Sequence, residues 1–190
     1  MNMNTFAVAA AIAMSALAFS GSASAVVLTS SSGANVVTDY SAAGLVSFDL
    51  DLHDFSTTTL NFVLEQDDLA GPLSFNAIVR NLVGQSLHQL SFSLQGIGYA
   101  AAGSVSSFSG AQASHSSNNA VIKFANGETA DILFGNPTLL DGRDDWLLDT
   151  TGLAAGDSFS IVAQVPEPST VAMMLPLLAG LLLARRRQRD

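Results

Sequence analysis

Apolar and polar side chains take turns along several short stretches in the middle of this chain. Val46, Phe48, Leu50 and Leu52 are separated by Ser47, Asp49 and Asp51, with His53 next in line. Successive side chains of a strand point to opposite faces, so this spacing predicts a strand with one face in a core and one in water. The same period recurs at Leu60, Phe62 and Leu64; at Leu73, Phe75, Ala77 and Val79; at Leu90, Phe92 and Leu94; and at Phe159, Ile161 and Ala163. Turn-forming sequences such as Ala70-Gly71-Pro72, Gly84, Gly96, Gly103, Asp141-Gly142 and Gly156 lie between and beyond these stretches. None of this region carries a helical stripe. Several short strands with glycine-punctuated turns and no intervening helices predict an all-β domain: an antiparallel β-sandwich of jelly-roll-like form, with a barrel as the alternative.

Two local features refine that expectation. Residues 120–124 and 130–134 flank Asn126-Gly127, a pair suited to the positive φ angles of a tight turn, which predicts a hairpin. The serine-rich stretch 96–119 has few large apolar residues and predicts a long surface loop or a poorly packed edge.

The two ends differ from the middle. Residues 6–19 (FAVAAAIAMSALAF) are apolar and uncharged, yet too short for a comfortable bilayer span of about 20 residues. They are followed by Ser22-Ala23-Ser24-Ala25, in which Ala23 and Ala25 offer the small side chains that signal peptidase accepts. Residues 1–25 therefore read as a signal peptide with cleavage after Ala25, although Met1 to Thr5 contain no Lys or Arg. At the other end, Val165, Pro166, Glu167 and Pro168 open a hexapeptide (165–170) that two prolines keep extended. An apolar run (171–184) follows, and then a basic tail (185–190) with Arg185, Arg186, Arg187 and Arg189. A helix from Ser169 to Ala184 would rise about 24 Å against a hydrocarbon core of about 30 Å, a marginal single transmembrane helix. The arginines would stay cytoplasmic, placing the rest of the chain across the membrane from them.

This C-terminus resembles the PEP-CTERM sorting signal, in which a Pro-Glu-Pro motif, a short hydrophobic helix and a terminal basic cluster occur in that order. The resemblance covers residues 165–190. It implies recognition by an exosortase, a membrane-embedded cysteine protease or transpeptidase that would process the chain near Pro166-Glu167-Pro168. It also implies a Gram-negative bacterium that makes exopolysaccharide, with the product released or held at the cell surface.

Charge sharpens the picture of the middle region, residues 26–164. The whole chain carries a formal charge of −9, but four of its seven bases lie in the last six positions. Fourteen acids and only Arg80, Lys123 and Arg143 remain between Val26 and Gln164. Affinity for a polyphosphate backbone comes from Lys and Arg displacing counterions, so nucleic-acid binding is excluded as a role. The chain has no cysteine, and hence no disulfide or thiolate chemistry.

The acids cluster at Asp49, Asp51 and Asp54, at Glu65, Asp67 and Asp68, and at Asp141, Asp144, Asp145 and Asp149. Calcium takes six to eight oxygen ligands, and Asp141, Asp144 and Asp145 are the candidate ligands, though their spacing is not that of an EF-hand. The histidines, His53, His88 and His115, have no partner at metal-ligand spacing. No nucleophile elbow, phosphate loop or H-E-x-x-H occurs. Trp146 and Tyr99 are candidate sugar-stacking aromatics, although a Trp beside Leu147 and Leu148 equally suits a core. The reading is therefore a non-enzymatic, exported surface or matrix protein, with a carbohydrate-binding module or a glycan-active enzyme as alternatives. The latter would require two facing acids in a cleft.

Overall fold

The structure is a computed structural model and describes residues 25–166. The expected signal peptide up to Ser24, Glu167 and Pro168 of the expected sorting motif, the apolar run and the arginine tail lie outside the described residues. Within them, no helix is long and apolar enough to cross a membrane.

Thirteen strands are present among the described residues: β1 (Val27–Ser32), β2 (Val36–Asp39), β3 (Leu45–Leu52), β4 (Thr58–Val63), β5 (Leu73–Asn81), β6 (Leu87–Gln95), β7 (Gly98–Ala101), β8 (Val105–Ser106), β9 (Gln112–His115), β10 (Asn119–Glu128), β11 (Ile132–Phe134), β12 (Trp146–Asp149) and β13 (Ser158–Gln164). One 3-10 turn, Gln66–Leu69, is the sole helical element there. The strands form two sheets. The first runs β1-β4-β13-β6-β10-β9, antiparallel throughout. The second runs β2-β3-β5-β11-β8, with β12 also beside β5 and β7 beside β12.

All five alternating stretches are strands, and each of their apolar positions except Leu64, which lies just past β4, falls within a strand and is buried; Leu64 is buried as well. Their side chains meet in one core shared by both sheets. Phe92 of β6 sits among rings of the opposite sheet, its centroid 4.8 Å from Phe134, 5.6 Å from Phe75 and 6.2 Å from Phe48. Within the first sheet Phe62 and Phe159 stack at 5.3 Å as a directly opposed pair on β4 and β13. Opposed aromatics of this kind add to the sheet beyond the area they bury.

Three expectations are corrected. β3 and β5 run parallel, Leu45 to Leu52 against Ser74 to Asn81, because the chain crosses to the other sheet as β4 before returning. A jelly roll is antiparallel throughout, so the topology departs from that form. The predicted hairpin is also absent. Residues 120–124 belong to β10, in the first sheet, whereas 132–134 form β11, which pairs with β5 and β8 in the second. Gly127 does take a positive φ of 74°, but it serves a bulge inside β10, where the register slips between Lys123 and Glu128. A Cβ there would lie 2.7 Å from the Ser86 side chain, so the chain approaches too closely for anything larger. Finally, stretch 96–119 is not one loop. It holds the short strands β7, β8 and β9, and the alternative of a poorly packed edge holds for β9, which is fully exposed at the edge of the first sheet.

On the outer face of β3, Asp49 and Asp51 point the same way, as the alternation requires. The parallel register places Arg80 opposite Asp51, and its guanidinium bonds Asp49 at 2.5 Å and Asp51 at 2.9 Å. Asp49 is nearly buried and Asp51 half-buried, so Arg80→Ala would leave two adjacent like charges unpaired, one of them desolvated. A loss of about 1–3 kcal/mol at neutral pH is expected in urea melts. A change inside about 0.5 kcal/mol would show the triad to be an ordinary surface pair.

Candidate functional site

Two places gather polar side chains in unusual ways, and the first follows from how β5 is shared. One edge of β5 is divided: Leu73, Ser74 and Phe75 pair with β12, while Ala77, Ile78 and Val79 pair with β11. Asn76 lies at the split. Its Oδ1 accepts from the Ser47 hydroxyl at 2.7 Å and its Nδ2 donates to Asp145 Oδ1 at 3.0 Å. The Asn136 backbone N–H donates to the same oxygen at 2.7 Å. Asp145 therefore splices the loop between β11 and β12 back onto the sheet. Gly135 begins that loop with φ 72°, and a Cβ there would meet Asn76, Phe75 O and Asp145 within 2.9 Å. The Asn136 side chain organises the rest, accepting from Leu140 N and donating to the carbonyls of Leu140 and Arg143.

This geometry separates the three candidate calcium ligands. Asp145 turns inward and its Oδ1 is taken by two donors, whereas Asp141 and Asp144 are exposed on the loop. Among the described residues, no three acidic or imidazole side chains are grouped as a metal ion would need. Three of the clustered acids already have partners: Asp49 and Asp51 are held by Arg80, and Asp145 by Asn76.

Trp146 is a core residue, 1% exposed. It stacks on Phe134 at 4.6 Å and 13°, meets Tyr99 edge-on at 5.3 Å, and donates its Nε1–H to Ser104 O at 3.2 Å. Tyr99 is buried too, its hydroxyl donating to Phe92 O, and burial pushes its phenol well above the usual range. Neither offers a ring face to a sugar. The exposed His115 of β9 packs its edge over Trp146 at 5.7 Å and closes that side of the core.

The second place is Glu128, 1% exposed and without an ion-pair partner among the described residues. Its Oε2 accepts from the Ser109 backbone N–H at 2.7 Å and the Ser109 hydroxyl at 2.9 Å; its Oε1 accepts from Thr129 N and Ala130 N, both at 2.9 Å. Burial pushes this carboxyl up, but the hydrogen bonds from Ser109 and Ala130 together outweigh it and hold the group at about 2. Its backbone carbonyl accepts from Asn81 Nδ2 at 3.1 Å, and that same amide donates to Gln85 O. One residue thus pins the loops after β5 and after β8 to the end of β10. Glu128 drew no notice in the sequence, because a lone acid after a glycine has no spacing that marks it.

Of the expected sorting motif, Val165 and Pro166 are described. Val165 is buried against the core and Pro166 is exposed, immediately beyond β13. Of the residues expected to form a signal peptide, Ala25 alone is described, half-buried ahead of β1. No protein-family model, curated protein or solved structure matches this chain.

Proposed function

We propose that the chain is exported as a membrane-tethered precursor, processed by an exosortase near Pro166-Glu167-Pro168, and left at the cell surface or in the exopolysaccharide matrix as a non-enzymatic β-sandwich. The observation that carries this reading is the order of parts at the C-terminus: Pro-Glu-Pro, an apolar run and four arginines within the last 26 residues. An A-x-A site ahead of residue 26 supports export from the other end. The position of the motif suits a protease, since β13 stops at Gln164 and Pro166 is exposed directly after it. A proline donates no hydrogen bond and cannot continue the ladder. Phe92 inserted among the rings of the second sheet favours two stacked layers over a closed barrel.

The intact mass of the secreted protein should correspond to a start at Val26 and loss of everything past the Pro-Glu-Pro region. Substituting Pro166, Glu167 and Pro168 with alanine should keep the full-length precursor in the membrane fraction. Release of that variant at the normal rate would remove the exosortase from the account, and a full-length cytoplasmic product would remove export.

A further inference from the structure

Strand directions fix which end of the domain faces the tether. β13 enters beside Val63 and leaves beside Thr58 and Ser91, so the chain exits at the end where β3, β5 and β10 also finish. Two of the most exposed apolar residues lie at this end: Phe108, 91% exposed, and Leu82, 54% exposed. They are neighbours through Glu128, whose carboxylate holds Ser109 and whose carbonyl holds Asn81.

The tether is short. Leu87, which begins β6 at this end, lies four residues past Ser91, the partner of Gln164, or about 14 Å along the strand. Pro166 is two residues past Gln164, so the loop tips stand about 7 Å or more beyond it. From Pro166 the chain can reach Val171, the first residue of the apolar run, over at most about 18 Å. A bilayer holding that run cannot lie much more than about 10 Å beyond the tips.

We propose that the Phe108 and Leu82 loop tips form a lipid-facing surface that enters the headgroup layer while the precursor is tethered. This rests on the reading of residues 165–190 as a membrane tether. Two apolar tips make a weak contact alone, but tethering turns docking into an intramolecular event with a high effective concentration. Cleavage removes that advantage, so the same surface lets go once the sorting segment is cut.

The chain has no cysteine, which allows single labels. Full-length Phe108→Cys, Leu82→Cys and, at the far end, Ala155→Cys are labelled with an environment-sensitive fluorophore. Each is then reconstituted into vesicles of phosphatidylethanolamine with a minor fraction of phosphatidylglycerol. Lipids carrying a nitroxide near the headgroup boundary, about 5–10 Å deep, should quench the labels at positions 108 and 82 about twofold and leave that at 155 unchanged. If the protein floats with the vesicles and all three labels stay unquenched, the lipid-facing surface is refuted and the tether stands. A protein that fails to float with the vesicles refutes the tether, and the surface with it.

Discussion

Trp146→Ala is expected to cost about 3–5 kcal/mol and to lower the melting temperature by roughly 10 °C. The substitution removes a fully buried indole that spans Phe134 and Tyr99 and leaves a cavity between β7, β11 and β12. It also removes one of the two donors to Ser104 O, leaving the Gly135 backbone N–H as the other. Gly103, one residue earlier, lies so close to the Asp145–Trp146 backbone that a Cβ would sit 2.5 Å from it, so neither segment can shift far to fill the void. Trp146→Phe should recover most of the loss, because a smaller ring still stacks on Phe134 and only the indole N–H is missing. Thermal and urea unfolding of the two variants gives the comparison. Equal, small effects for both would mean that the indole is not packed, and would reopen its use as an exposed sugar platform.

That contrast shows what could be read from the sequence and what could not. Alternation assigns each residue to a face, and it did so correctly for Val46 to Leu52 and for the four later sets, since every apolar position among them is buried. It carries no information about partners. Nothing in the pattern marks β3 and β5 as parallel, or sends 120–124 and 132–134 to different sheets, because pairing is settled by the whole core rather than by either segment. Edge strands such as β1, VLTSSS, escape for a different reason: with hardly any side chain buried, they have no apolar period to detect. The serine-rich stretch shows the same limit, for β9 is a strand by its backbone pairing to β10 and not by its side chains. The polar contacts that fasten the loops were equally invisible. Asn76 with Asp145 spans 69 positions and Asn81 with Glu128 spans 47, distances at which no motif operates. The C-terminal reading is the reverse case: it is contiguous, compositional and complete in the sequence, and lies almost wholly beyond residue 166.

Glu128 supplies the second large effect, and one with a distinctive pH signature. Glu128→Gln keeps the shape but replaces a carboxylate with an amide, whose NH2 group must face N–H donors on one side. Losing charge-assisted bonds from Ser109 or from Thr129 and Ala130 should cost about 2–4 kcal/mol at pH 7. The folded state holds the carboxyl at about 2 against an ordinary 4.5, a depressed value. Between these limits the unfolded chain binds more protons, so stability rises with pH. The contribution of Glu128 is thus complete above about pH 4.5 and is lost as pH falls through about 2. The wild type and the Gln variant should accordingly differ most at neutral pH and converge toward pH 2 in urea melts. Other carboxylates, including Asp54 and Asp149, also titrate low because Ser56 and Thr151 donate to them, but they do so in both proteins and cancel in the difference. A gap that stays constant from pH 7 to pH 2 would mean that shape, not charge, holds the Ser109 loop. The loop pinned by that carboxylate carries Phe108, so the variant should also blur the position of the residue proposed to meet the lipid.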